Sequence, residues 1–138
     1  MTDTTCICTK LRRASQQVAR HYNESLAPSG LSVVQFSQLN AIHRLKAPSI
    51  GRLAADTHLD RSTLGRNVRT LRRLGLVHFE PGEDGRTRVV TVSDKGREAV
   101  KTATACWQTV QNNLSDKLGA EQRELLFELL NELESLAP

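Results

Sequence analysis

Apolar residues recur every three or four positions along most of the chain, the spacing that gathers them on one face of an α-helix. The pattern predicts a first helix over residues 11–26, ended by the turn-forming residues 28–30. Ser32 and Gln35 have the spacing of a capping box, in which each side chain accepts a hydrogen bond from the other residue's backbone N–H. A second helix is therefore predicted to start there and to end before Pro48.

The next segment has the pattern of a helix-turn-helix. Ser49 is placed to cap a short third helix, and Asp60 is placed to cap a fourth after a turn at residues 57–59. The fourth helix is expected to stop at Gly75, a residue type common just beyond helix C-termini. Two short helices joined by a tight turn describe this motif.

A β-hairpin is predicted after the fourth helix. Residues 76–79 and 88–92 have strand-forming compositions, and the residues between them, 81–85, are rich in turn formers. The tip of this hairpin is basic, because it carries Arg86 and Arg88.

Two further helices complete the predicted elements, one from residue 94 to about 118 and one over 121–136, with Gly119 between them. The apolar face of the last helix is too dense in leucine for a helix surrounded by water. Its members are Leu125, Leu126, Leu129, Leu130, Leu133 and Leu136. The first helix is too short to cover both C-terminal helices, so a second copy of the chain is expected to do so.

Composition narrows the class of protein. A length of 138 residues suits one domain, and no apolar run approaches the ~20 residues of a membrane span. The N-terminus lacks the basic start and apolar stretch of a secretory signal, which favours the cytoplasm and reduced cysteines. The net charge of +4 is uneven: residues 49–97 hold ten Lys and Arg against six acids, while residues 111–138 hold two against six.

The fourth helix concentrates this positive charge. Five arginines and no acid lie between residues 61 and 73. Leu64, Val68 and Leu71 fall on one side of the helix, while Arg66, Arg69 and Arg73 fall elsewhere. Such arginines can be a solvated face or a surface for a polyanion. The helix-turn-helix to which this helix belongs and the basic hairpin after it favour duplex DNA.

The position of each residue in the fourth helix predicts its role. The first turn of a recognition helix enters the major groove, where Ser62 and Thr63 can meet bases or phosphates. Arg66 suits the acceptors of guanine and Asn67 suits adenine, so these two are expected to read bases. Arg69 and Arg73 are expected to contact the DNA backbone, and Arg61 is a further expected DNA-binding residue. Arg86 and Arg88, which alternate to the same face of a strand, are expected at a narrow minor groove.

Residues 59–96 resemble the recognition helix, wing and following helix start of the MarR family of winged helix-turn-helix regulators. The most specific piece is Asp84-x-Arg86 followed by Thr91-Val92-Ser93-x-x-Gly96, although Ser93 stands where the family more often has Thr. The order of the flanking helices is also similar. The resemblance implies a homodimer joined through its first and last two helices, with Arg86 in the minor groove and Asp84 holding the wing.

The expected fold class is therefore mainly α with a small β wing, in a single domain over residues 1–138. A winged helix-turn-helix DNA-binding core would occupy about residues 32–92. The dimerisation helices would occupy about residues 5–28 and 94–138.

Three cysteines form a second candidate site. Cys6 and Cys8 lie near the start, while Cys106 lies midway along the fifth helix, which by family analogy meets the N-terminal helix at the dimer interface. Three thiols there would suit a soft metal, a metalloid or reversible oxidation. Residues two apart on a helix point about 200° from each other, and Cys106 can equally be a small buried hydrophobe, so both interpretations stay open.

A small aromatic effector is a third expectation. The family resemblance implies a cavity between the dimer helices and the DNA-binding lobe for aromatic acids or phenols. Its candidate lining residues are His21, Tyr22, Phe36, His43 and Trp107. These residue types are more often structural than ligand-binding. No cofactor is expected to be required.

The resulting hypothesis is a sequence-specific transcriptional regulator, a homodimeric repressor released by an effector or by cysteine chemistry. An enzyme is disfavoured, because the sequence has no phosphate loop, metal-binding helix motif or nucleophile elbow. RNA binding is disfavoured by the lack of an exposed aromatic platform. A winged-helix module that binds an acidic protein partner remains the alternative.

Overall fold

The computed structural model describes residues 5–137. Its elements, in chain order, are α1 (Ile7–Leu26), α2 (Val33–Arg44), α3 (Ile50–Thr57), α4 (Arg61–Arg73), β1 (Val77–Pro81), β2 (Arg88–Val92), α5 (Asp94–Leu118) and α6 (Ala120–Glu134). A short 3-10 helix, Ala27–Ser29, follows α1. The predicted fold class, mainly helical with a small β wing, is confirmed.

The helices start where capping side chains allow them to start. Both hydrogen bonds of the capping box are present, from Gln35 N to Ser32 Oγ at 3.1 Å and from Ser32 N to Gln35 Oε1 at 3.0 Å. Ser49, Asp60 and Ser93 each accept a backbone N–H in the first turn of the helix that follows. Each cap satisfies a donor that lacks an intrahelical partner.

Three elements have boundaries that differ from those predicted. α1 begins at Ile7 rather than residue 11, because the residues before Leu11 contain no helix breaker. β1 extends to Pro81. Proline has no N–H to donate, and at the end of a strand this does not interrupt the sheet ladder. α6 begins at Ala120 and ends at Glu134, one and two residues before the predicted limits of 121 and 136.

The core of the winged helix-turn-helix lies between α2, α3 and α4. Leu39, Leu53 and Leu64 have no solvent-exposed surface, and the same holds for Val68 and Leu71. The predicted apolar side of α4 is thus fully buried. Its opposite side faces outward.

The wing is a two-stranded antiparallel sheet that is also tied to the start of α3. Val77 pairs with Val92 at its base, and Pro81 pairs with Arg88 at its outer end. Val90 N donates to Pro48 O at 2.9 Å, and Ser49 forms a bridge with Val89. This bridge was not predicted, because a single paired residue leaves no periodic pattern in the sequence.

α1 and α5 run antiparallel and contact each other through polar groups. The Tyr22 hydroxyl donates to the side chain of Gln111, and Ser25 Oγ donates to Cys106 O at 2.9 Å. Gly96 lets α5 begin close to the wing, because a Cβ there would overlap the carbonyl oxygen of Leu76 and the side chain of Val92.

Apolar faces at the two ends of the chain are left uncovered. Ile7 is 67% exposed, and no residue of α6 is buried. The large hydrophobic residues exposed on α6 are Leu125, Leu126, Phe127, Leu129 and Leu133. Within residues 5–137, no helix is both long enough and apolar enough to cross a membrane.

Candidate nucleic-acid interface

The outward side of α4 is a cationic surface. Arg61, Arg66, Arg69 and Arg73 are all exposed, while Asn67 is half-buried. No acidic residue occurs in the helix. The side chains of Arg66 and Arg73 are weakly held, since Arg66 Nη2 lies 3.4 Å from Thr63 Oγ1 and Arg73 Nη2 lies 3.3 Å from Thr70 Oγ1. These groups are therefore free to bind an anion.

Asp60 organises the first turn of α4. Its carboxylate accepts hydrogen bonds from Thr63 N at 2.7 Å, Ser62 Oγ at 2.8 Å and Thr63 Oγ1 at 2.9 Å. These bonds, led by the one from the Thr63 backbone, lower the pKa of Asp60 to about 2. The hydroxyls of Ser62 and Thr63 therefore donate to Asp60 in the free protein. Their oxygens can also accept hydrogen bonds, and Thr63 Oγ1 already accepts a long one from Arg66 Nη2.

The wing tip is held by a second carboxylate. Asp84 accepts hydrogen bonds from Arg86 N and Thr87 N, both at 2.9 Å, and from Thr87 Oγ1 at 3.0 Å. The bonds from Thr87 and Arg86 also lower the pKa of Asp84. Arg86 and Arg88 are exposed, but Arg86 precedes β2, so the predicted strand alternation begins only at Arg88. Arg86 instead lies in the turn before β2, whose backbone is held by Asp84.

The predicted effector residues are distributed over different surfaces. Phe36 and Trp107 lie together, with ring centroids 6.4 Å apart, and line a hollow of about 480 Å³ between α2 and α5. His43 lines a separate hollow of about 260 Å³. The Tyr22 hydroxyl donates a hydrogen bond to Gln111, and burial raises the pKa of Tyr22. His21 is exposed and lines neither hollow.

The cysteines do not form one cluster within a chain. Cys6 is the N-cap of α1, Cys8 is exposed in its first turn, and Cys106 is half-buried on α5. Cys106 packs beside Ser25, which is nineteen residues from Cys6 along α1, or about 28 Å of helix. Hydrogen bonds from Thr9 lower the pKa of Cys6, which favours its thiolate. Among residues 5–137, no group of three or more His, Cys, Asp or Glu could hold a metal ion.

Comparison with known proteins places this fold in a family. A MarR family profile matches residues 29–87. The M. tuberculosis transcriptional regulator MosR, solved in complex with DNA, is 34% identical over 94% of this chain and 97% of its own, with a TM-score of 0.81. The chain belongs to the MarR family. Its matched relatives are transcriptional regulators.

Two more distant structures share the MarR-family fold. A cysteine-to-serine variant of E. coli MarR in complex with operator DNA is 21% identical, covers 95% of each chain and has a TM-score of 0.85. Bordetella bronchiseptica BpsR, solved to explain regulation of its DNA binding by 6-hydroxynicotinic acid, is 20% identical, covers 99% of each chain and has a TM-score of 0.87. A search of curated proteins found no match.

No pattern in the sequence of this MarR-family chain indicates the role of Arg72. Its guanidinium carbon lies 5.2 Å from the centre of the Phe79 ring, so it joins α4 to β1. The spacing of arginines along one helix cannot reveal this contact, because the partner ring belongs to a separate strand.

The lowered pKa of Asp60 predicts a pH-dependent contribution to stability. The carboxylate is favoured in the folded state, so its contribution is present above the unfolded pKa of about 3.9 and is lost as pH falls toward 2. Asp60→Asn keeps a capping oxygen but removes the charge. We expect its melting temperature to be lower than the parent's at neutral pH, with the difference shrinking between pH 4 and 2. A difference that does not change with pH would contradict the assignment.

Proposed function

We propose that this protein is a homodimeric repressor that binds a palindromic operator in the cytoplasm. The observation that carries the proposal is the acid-free arginine side of α4, which faces solvent while the opposite side is buried in the core. The exposed wing arginines lie close behind it in the chain. The DNA complexes of MosR and the E. coli MarR variant support this function.

The uncovered apolar faces support the dimer. α6 and the start of α1 expose large hydrophobic side chains that a second copy would bury. A two-fold axis between the copies would present two recognition helices to successive major grooves about 34 Å apart. The operator would then have two related half-sites.

The contacts are assigned by position on the lobe. Arg66 and Asn67 would read base edges, and Ser62 and Thr63 would contact bases or phosphates in the first turn. Arg61, Arg69 and Arg73 would bind phosphates. The wing would contribute Arg86 in the minor groove, supported by Asp84 and flanked by Arg88.

Substitutions at two of these arginines should have different consequences. Operator sequences are first selected from random duplex DNA with the parent protein. Arg66→Ala should reduce discrimination between matched and mismatched bases by about 1–3 kcal/mol. Arg73→Ala should weaken binding to all sequences and make the salt dependence shallower by about 0.9 in log–log slope for each phosphate that it no longer neutralises.

Arg20→Ala, a substitution of an exposed arginine on α1 outside the proposed DNA contacts, is the matched control, and its dimerisation is measured alongside its DNA binding. If Arg66→Ala keeps the parent's full sequence preference, α4 is not the reading helix. A folded dimer that selects no duplex at moderate salt would favour the alternative function, a winged-helix module for an acidic protein partner.

The effector is proposed to be a small aromatic acid in the hollows between α2 and α5. Phe36 and Trp107 offer aromatic surface, and Arg97 and Lys101 beside His43 offer positive charge. α2 belongs to the DNA-binding lobe and α5 to the predicted dimer helices. An acid that binds better to one relative position of these helices would shift the spacing of the recognition helices. The regulation of BpsR by 6-hydroxynicotinic acid supports this class of ligand.

The fluorescence of Trp107 can report effector binding, because Trp107 is the single tryptophan of the chain. Titration with a panel of small aromatic acids should change its fluorescence, and Phe36→Leu should weaken the response. His21→Ala, outside both hollows, should leave the response as in the parent. No fluorescence change across the whole panel would count against a binding site there.

Thiol sensing that involves all three cysteines is proposed only between two protomers. Cys6 and Cys8 are close in sequence at the start of α1, whereas Cys106 can join them only through a second protomer. Oxidation, a soft metal or a metalloid at these thiols would then alter the dimer helices.

Operator binding by Cys6→Ser, Cys8→Ser and Cys106→Ser proteins tests this hypothesis. Oxidant or arsenite should release the parent from its operator, and at least one variant should resist release. Resistance of Cys106→Ser alongside Cys6→Ser or Cys8→Ser would indicate a site across the dimer. Identical responses of the parent and all three variants would exclude a sensing role for these cysteines.

A further inference from the structure

Gly51, the second residue of α3, lies directly beneath the side chain of Arg61. A Cβ on Gly51 would meet three atoms of Arg61 first: Nη2, then Cζ at 3.0 Å and Nε at 3.3 Å. Those three atoms belong to the guanidinium group. The charged end of Arg61 therefore packs against the backbone of α3, in the space that any other residue's side chain would occupy.

The backbone at Gly51 does not itself require glycine. Gly51 lies within a helix, and its φ angle is not positive. Glycine within a helix is less favourable than alanine, because it loses more conformational freedom on folding. The space it leaves for Arg61 is the structural feature that an alanine could not reproduce.

No other group holds the Arg61 side chain in this place. Among the described residues, Arg61 takes part in no side-chain hydrogen bond or ion pair, whereas Arg44 is held by Asp56 at 2.6 Å. Arg61 as a residue is also exposed to solvent. The absence of a Cβ at Gly51 therefore leaves the space that Arg61 takes, and its hydrogen-bond donors stay available.

We propose that Gly51 is a positioning residue for DNA binding, which holds the Arg61 guanidinium at the start of the recognition helix before DNA arrives. This inference rests on the proposed function. A long side chain that is ordered in advance loses less conformational freedom when it binds a phosphate. Gly51 thus strengthens binding without touching DNA itself.

Replacing Gly51 by alanine should move Arg61 without unfolding the protein. The overlapping atoms form the far end of a flexible side chain, which can turn into solvent. At Gly96, by contrast, the overlap would be with the backbone of Leu76, which cannot turn away. Gly51→Ala should therefore keep the parent's melting temperature or raise it. Gly65→Ala, whose Cβ would meet only Arg69 Nη1 at 3.5 Å, should do the same and is the control for stability alone.

A double-mutant cycle on the selected operator tests the inference. Gly51→Ala should weaken operator binding by about two- to tenfold per half-site, the cost of ordering one long side chain. The same substitution in an Arg61→Ala background should have almost no effect, because the residue it displaces is gone. Equal weakening in the two backgrounds, or none in either, would overturn the inference.

A measurement without DNA separates this inference from the proposed function. NMR relaxation of Arg61 Nε should report an ordered side chain in the parent and a mobile one in Gly51→Ala. Equal mobility in the two proteins would overturn the inference even if both bind the operator. A parent protein that binds no duplex would overturn the proposed function and, with it, the role of Gly51 in DNA binding.

Discussion

Burial of one side of α4 is the constraint on which the rest of the DNA-binding lobe depends. Leu64, Val68 and Leu71 are completely buried, and each such side chain contributes about 1.5–3 kcal/mol relative to exposure. The weak hydrogen bonds of the exposed arginines contribute far less. Packing in the core therefore sets the rotation of α4 about its axis. That rotation determines which way the arginine side chains face.

Two carboxylates then set the ends of this surface. Asp60 fixes where α4 begins, and Asp84 fixes the turn from which Arg86 projects. The wing in turn is attached to the start of α3 through Pro48 and Val90. Acidic residues in a DNA-binding region usually oppose DNA, but here both direct their charge into the backbone N–H groups of their own turns.

The sequence predicted what depends on neighbours in the chain, and it missed what depends on contacts between elements. Helix starts at Ser32, Ser49 and Asp60 could be predicted because a cap and its partner lie within three residues. The bridge from Ser49 to Val89 and the stacking of Arg72 on Phe79 could not, because each joins separate elements. The candidate effector residues could be chosen only by type, and side-chain type does not specify which hollow a residue lines.

The uncovered leucine face of α6 has a consequence for how the gene that encodes this protein must be expressed. If only paired chains present two correctly spaced recognition helices, operator occupancy at low abundance follows the square of protomer concentration. Halving the amount of protein would then reduce repression by more than half. The apolar surface of one helix, far from the arginines, would set a threshold of gene dosage below which the operator stays open.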